Sequence, residues 1–177
     1  MLVLVTGGVR SGKSTHAESL LAAETQVTYV APGPAYDDAD WQERLARHRQ
    51  RRPATWLTVE TGDVAAAVAA APGAVIVDCL GTWLTRLLDD AGPQGAGWDL
   101  SAEALAGLVR PRVDALAAAV ARASATVVLV TNEVGLGVVP EHRSGRVFRD
   151  LLGEVNQGVA RACDEVHLVI SGRVLRL

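Results

Sequence analysis

Short apolar runs rich in Val, Ile and Leu alternate along the chain with longer stretches of helical period. The runs Leu2–Thr6, Val27–Ala31, Trp56–Val59, Ala74–Asp78, Thr126–Thr131 and Glu165–Ile170 predict strands. Val75-Ile76-Val77 and Val127-Val128-Leu129-Val130 are apolar without alternation, the pattern of strands covered on both faces. Helical stretches are predicted at Lys13–Ala23, Asp38–Arg51, Asp63–Ala71, Leu80–Asp90, Ser101–Ala123 and Ser144–Ala162. Strands alternating with helices predict an α/β fold with a mainly parallel sheet flanked by helices. Val166–Ile170 and Val174–Leu177 bracket Ser171-Gly172-Arg173, which predicts a C-terminal β-hairpin. Ser101 with Glu103, and Glu24, mark helix boundaries, and Pro111 predicts a kink or split in the fifth helical stretch. The Gly- and Pro-rich stretch Ala91–Gly97 predicts a loop.

Composition narrows the classes. The 177 residues show no repeat and no long linker, which predicts one domain over 1–177 at roughly 100–200 residues per domain. With 49% hydrophobic and 21% charged residues, there is enough apolar material to exclude disorder as the main state. No run of about 18 uncharged apolar residues exists, so no membrane-spanning helix is expected. The first residues lack a basic region and a small-residue cleavage site, and read as a strand rather than a targeting signal. A net charge of −3 gives no global pull towards nucleic acid or anionic membrane. Cys79 and Cys163 have no metal-ligand spacing and are expected as buried thiols of a cytoplasmic protein.

The 17 basic residues are 16 arginines and a single lysine, Lys13. In a chain this biased towards arginine, the surviving lysine marks a place for a compact point charge rather than a planar fork. It stands in Gly7-Gly8-Val9-Arg10-Ser11-Gly12-Lys13-Ser14, which fits G-x-x-x-x-G-K-[ST] after an apolar strand and before a helical pattern, the context of a P-loop. The glycines let the backbone N–H groups face a polyphosphate, Lys13 reaches the β/γ-phosphates, and the Ser14 hydroxyl ligates Mg²⁺. The alternative is a glycine-rich turn with a chance lysine. A P-loop also needs a carboxylate at the end of another strand, and Asp78 closes the run Ala74–Asp78. A helix N-cap role is open to the same residue. An N-K-x-D guanine-reading motif is excluded because no second lysine exists.

Trp41 to Pro53 holds Arg44, Arg47, Arg49, Arg51 and Arg52 around His48. On a helix, Trp41, Leu45, His48 and Arg52 share one face. Nearby cations disfavour imidazolium and keep His48 neutral and nucleophilic, and the arginines could hold a triphosphate. That combination suits histidine attack on an α-phosphate with pyrophosphate leaving. A solvated basic helix with a packed histidine remains an alternative, and a nucleic-acid-binding arginine cluster is a lesser one, weakened by the acidic net charge and the few aromatic residues.

Taken together these pieces resemble the bifunctional adenosylcobinamide kinase / adenosylcobinamide-phosphate guanylyltransferase family of cobalamin biosynthesis. The matching segments are Val5–Ser14, the His48…Arg52-Pro53 segment with Trp56 and Glu60, Val77-Asp78-Cys79-Leu80, Thr131–Pro140 and Val155-Asn156-Gln157, which span nearly the whole chain. The resemblance implies a P-loop NTPase domain with a RecA-like sheet. It implies phosphorylation of the aminopropanol hydroxyl of adenosylcobinamide by a nucleoside triphosphate, ATP or GTP. It then implies guanylylation of a histidine by GTP and transfer of GMP to adenosylcobinamide phosphate, giving adenosylcobinamide-GDP.

The catalytic residues it implies are His48, the nucleophile, and Lys13. Its nucleotide-contacting positions fall on Gly7, Gly8, Val9, Arg10, Ser11, Gly12, Lys13, Ser14, Ala31, Pro32, Gly33, Arg49, Gln50, Arg51, Arg52, Glu60 and Asp78, with Ser14 and Asp78 towards Mg²⁺. It also implies a homotrimer with sites near subunit interfaces. Gly81 and Arg86 depart from the family pattern, where a hydroxyl residue and an asparagine are expected.

Glu133, just past a predicted strand, reads either as a ligand for corrinoid or nucleotide or as a surface carboxylate. His142 and Arg143 are similar candidates, whereas His16 and His167 read as structural. Two other readings stay open at this point, both with a structural His48. One is a P-loop kinase of another small alcohol, and the other is a regulatory P-loop NTPase.

Overall fold

In the computed structural model, seven strands form one sheet: β1 (Leu2–Gly7), β2 (Val27–Ala31), β3 (Leu57–Glu60), β4 (Ala74–Asp78), β5 (Val127–Val130), β6 (Glu165–Ile170) and β7 (Arg173–Arg176). Their order across the sheet is β3-β2-β4-β5-β1-β6-β7. Every neighbouring pair is parallel except β6 with β7. The structure describes residues 1–39, 43, 52–92 and 97–177. Most of the predicted second helix, including His48, Arg49, Gln50 and Arg51, therefore lies outside the described residues, as does the centre of the loop at 91–97. Five helices are described: α1 (Lys13–Ser19), α2 (Val64–Ala70), α3 (Leu80–Asp89), α4 (Ala102–Ala121) and α5 (Arg143–Ala160).

The continuous apolar runs are the central strands. Residues pointing one way from β1, β4 and β5, among them Leu4, Val75, Val77 and Leu129, pack with buried residues of α2, α3, α4 and α5. Residues pointing the other way, among them Val3, Val5, Ile76 and Val130, pack with Ala17 of α1 and Leu21 beyond it. Burying one such Val or Leu contributes about 1.5–3 kcal/mol. The sheet therefore has no solvent face at its centre, as its lack of alternation predicts.

The helix starts follow local chemistry. The Ser101 hydroxyl accepts from the Ala104 N–H at 3.1 Å, and Asp63 Oδ1 accepts from Ala66 N–H at 3.1 Å, which satisfies orphan donors of a first turn. α3 buries Leu80, Trp83, Leu84 and Leu88 along one stripe, and the Trp83 indole donates to the Gly62 carbonyl at 2.9 Å. Three expectations are corrected. α4 passes through Pro111 as one helix, which overturns the split and leaves the kink untested. Pro111 and Gly107, whose carbonyl loses its partner, both sit on the exposed side, where water can take that bond. α1 ends at Ser19, four residues early, because the chain tightens into i→i+3 bonds at Leu21, Ala22 and Glu24. Cys79 and Cys163 are free but only partly buried.

Candidate nucleotide site

Gly7 ends β1, Gly8 to Gly12 form the loop, and Lys13 and Ser14 open α1. Gly12 has φ of +95° and Arg10 of +56°, so the loop is turned by left-handed residues. At Gly7 the requirement is space. A Cβ there would collide with the Val169 carbonyl of β6 and stand 2.7 Å from Ser11 Oγ. The loop is tied on both flanks, with Glu133 N–H donating to the Gly7 carbonyl at 3.1 Å and Gly172 N–H to the Ser11 carbonyl at 2.8 Å. The Lys13 ammonium folds back and donates to the Gly8 carbonyl at 3.2 Å. Thr6 Oγ1 and Ser11 Oγ are buried with no hydrogen-bond partner among the described residues.

The other candidates sit where parallel strands end, as ligand groups do in open α/β sheets. Ala31 closes β2 opposite Glu60 at the end of β3, followed by the buried Pro32 and the half-buried Gly33. Asp78 closes β4. Asp78, Val130 and Val5 lie on one register line across β4, β5 and β1. Asp78 is thus two strand spacings, about 10 Å, from the chain entering the phosphate loop. β5 is thus inserted between β1, which leads into the loop, and β4, which ends in Asp78. Cys79, not Asp78, occupies the N-cap position of α3.

Asp78 is held by a residue that the sequence reading placed only in a strand. Tyr29, on β2, donates its hydroxyl to Asp78 Oδ2 at 2.9 Å. The Arg52 guanidinium lies 3.4 Å from the centroid of the same ring. Burial, then the charge of Asp78, pushes the Tyr29 phenol well above its ordinary value, so it remains a donor. A usable signal did exist: a tyrosine inside an apolar strand needs a partner for its hydroxyl.

Beyond β5, the Thr131 hydroxyl donates to Asn156 Oδ1 at 2.7 Å, and Asn156 Nδ2 donates to the Asn132 carbonyl at 3.1 Å. Asn132 Oδ1 is 3.7 Å from the Cys79 thiol and would stand 3.2 Å from a Cβ on Gly81. Desolvation, then Asp78, raises the Cys79 thiol above its ordinary value, which argues against a thiolate nucleophile. Glu133 Oε1 accepts from Gly135 N–H at 2.7 Å. Arg149 donates to the carbonyls of Gly135 and Gly137 at 2.8 and 3.0 Å, so the loop from Glu133 to Pro140 is held while Leu136 and Val138 project 83% and 94% exposed. Arg143 donates to the carbonyls of Trp98 and Leu100, a structural task, and His142 caps α5 without a side-chain bond.

Beneath α1, His16 Nε2 is 2.9 Å from His167 Nδ1, and His167 Nε2 is 2.7 Å from Glu165 Oε2. This network sets the protons: His16 Nε2–H donates to His167, and His167 Nε2–H donates to Glu165. Burial, then His167 and Arg176, lowers the His16 pKa, and the hydrogen bond from His167 lowers that of Glu165. Both histidines thus have structural partners, as expected.

Among the described residues no group of three or more His, Cys, Asp or Glu could hold a metal ion. Ser14 and Asp78 offer hard oxygen atoms instead. Magnesium commonly takes one or two protein oxygens and completes its shell with phosphates and water, so this donor set fits magnesium that arrives with a polyphosphate. No described helix is long and apolar enough to cross a membrane.

Residues 3–177 match the family model described as cobinamide kinase / cobinamide phosphate guanyltransferase. The bifunctional adenosylcobalamin biosynthesis protein CobU of Escherichia coli K12 is 43% identical over 176 residues, with 97% of each chain covered. The protein of the same name from Salmonella typhimurium LT2 is 44% identical over 178 residues, again with 97% of each covered. CobP of Pseudomonas aeruginosa PAO1 is 38% identical over 175 residues, covering 96% of this chain and 92% of that protein. A solved chain of the P4 protein from bacteriophage phi6 in complex with ADP overlaps with a TM-score of 0.38 and 17% identity, over 98% of this chain and 54% of that one, a likeness too weak to bear on function. On the match over residues 3–177, the chain belongs to the cobinamide kinase / cobinamide phosphate guanyltransferase family.

Proposed function

We propose that this chain phosphorylates adenosylcobinamide and then guanylylates the product, with His48 carrying GMP between the two partners. In the first reaction the aminopropanol hydroxyl oxygen attacks the γ-phosphorus of a nucleoside triphosphate. The bond to the β,γ-bridging oxygen breaks, the nucleoside diphosphate leaves, and the hydroxyl proton passes to base or water. In the second, a neutral ring nitrogen of His48 attacks the α-phosphorus of GTP and pyrophosphate leaves. A phosphate oxygen of adenosylcobinamide phosphate then displaces His48 and forms adenosylcobinamide-GDP. Splitting the transfer replaces one difficult encounter by two in-line displacements.

The observation that carries this reading is the phosphate loop with its single lysine, entered from a strand whose Val5 is in register with Asp78 across β5, in a chain of this family. Lys13 serves the β/γ-phosphates, with Gly7, Gly8, Val9, Arg10, Ser11 and Gly12 as their backbone cradle. Ser14 and Asp78 would hold Mg²⁺, which when bound neutralises phosphate charge. Ala31, Pro32, Gly33 and Glu60 sit at neighbouring strand ends, and Arg49, Gln50, Arg51 and Arg52 follow the nucleophile in sequence. Both activities are assigned to one domain of a cytoplasmic enzyme. A homotrimer is part of the same reading. The outer strand β7 is exposed throughout, with Leu175 55% exposed, and an uncovered apolar edge favours association.

The experiment is product analysis. With adenosylcobinamide and γ-labelled triphosphate, label should appear in adenosylcobinamide phosphate, and added GTP should convert that product to a species heavier by GMP. A folded, nucleotide-binding protein that forms neither product would refute the assignment. Light scattering of the same sample reads the trimer.

A further inference from the structure

Tyr29 is 1% exposed, yet it touches two groups that the nucleotide reading uses. Its Cα partner on β4 is Ile76, so Asp78 lies two residues further along the same face. Long side chains reach that diagonal position, and here the hydroxyl closes the gap at 2.9 Å. The face of the ring has a separate task. The Arg52 guanidinium stacks on it at 3.4 Å. Arg52 Nη1 reaches Thr58 Oγ1 only at 3.4 Å, and its buried Nε has no hydrogen-bond partner among the described residues. The ring, more than hydrogen bonding, therefore fixes the plane of the guanidinium. A guanidinium stacked in this way keeps its N–H edge for a bidentate anion contact.

We propose that Tyr29 is a positioning residue for both halves of the chemistry: its ring orients Arg52 for the triphosphate, and its hydroxyl orients Asp78 for the metal-bound phosphates. This rests on the reading in which Arg52 and Asp78 serve the nucleotide. The two tasks use different atoms of one side chain, so substitution separates them. Tyr29→Phe removes the hydroxyl and keeps the platform, whereas Tyr29→Leu removes both.

The test measures binding of a non-hydrolysable GTP analogue to the full chain, in chelator and across a Mg²⁺ titration. Melting curves establish that each variant is folded. Tyr29→Phe should bind within about twofold of wild type in chelator, but should need about tenfold more Mg²⁺ for half of the metal-dependent gain, the usual scale for losing a group that orients a metal ligand. Tyr29→Leu should also lose affinity in chelator, to the extent seen for Arg52→Ala. The double variant should lose no more than either single one, because both remove one interaction. A Tyr29→Phe protein with wild-type Mg²⁺ dependence, or losses from Tyr29→Leu and Arg52→Ala that add, overturns the proposal. Arg52→Ala and Asp78→Asn are the controls. If they impair binding while the Tyr29 variants do not, only this proposal falls. If they too bind as wild type, the nucleotide reading of those residues fails and takes the proposal with it.

Discussion

The backbone N–H of Gly172 donates to the carbonyl of Ser11 at 2.8 Å. The turn of the C-terminal hairpin thereby holds the phosphate loop. That turn is two residues long, with Ser171 at φ +49° and Gly172 at φ +75°, the form that suits the twist of a tight hairpin.

Steric demand on the loop is uneven, which gives a graded prediction. Gly7→Ala must displace the Val169 carbonyl and Ser11, and should cost about 1–3 kcal/mol, the scale of overpacking. Gly12→Ala must hold a Cβ at φ +95°, and should cost about 1–2 kcal/mol. Gly8 has nothing within 4 Å of an added Cβ, so Gly8→Ala should stay within about 0.5 kcal/mol of wild type. Denaturant unfolding checks the order, and a Gly8 variant as unstable as the Gly7 variant would contradict it.

The chain His16–His167–Glu165 predicts an acid limb in stability. The hydrogen bond from His167, above all, holds the Glu165 carboxyl below the usual carboxylate range. A carboxyl depressed in the folded state contributes stability above its unfolded value, and that contribution is lost as pH falls through its folded value. His16 is lowered from 6.5, so the folded state resists its protonation, and stability also declines as pH falls below that value. Glu165→Gln should therefore be less stable than wild type near neutrality and should lose less on going below about pH 4.5. Melting temperatures across pH measure this, and parallel curves for the two proteins would refute it.

Pro111 stands exposed inside α4. Replacing it by alanine restores one helix hydrogen bond and removes a ring from the turn before it. Interior proline costs about 3 kcal/mol relative to alanine, offset in part by the more restricted unfolded chain. Pro111→Ala should therefore raise unfolding free energy by about 1–2 kcal/mol, as chemical denaturation would read. A loss of stability would mean that the proline is used in packing.

Much of the fold was legible because it is written in local pattern. β2, β4 and β6 keep their expected ends, since apolar runs there stop at turn residues or at a carboxylate. Asp78 stood out for the same reason, as a charge closing a buried run. Tyr29 did not, because its role depends on which strand lies beside β2, and Asp78 is 49 positions away. The pairing of His16 with His167 spans 151 positions and was equally invisible. Pro111 misled because helix-breaking is a local tendency, while α4 is held by the packing of Leu105, Val109, Val113 and Leu116 on the core.

The central claim is that GMP passes through His48, and covalent labelling tests it most directly. Wild type and His48→Ala are each incubated with Mg²⁺ and GTP labelled at the α- or the γ-phosphate. Acid-labile label on the protein from the α position alone, absent in the variant while transfer from the γ position persists, is the predicted result. Folded, GTP-binding wild type that takes up no α label, or a His48→Ala protein that takes up as much, would contradict it.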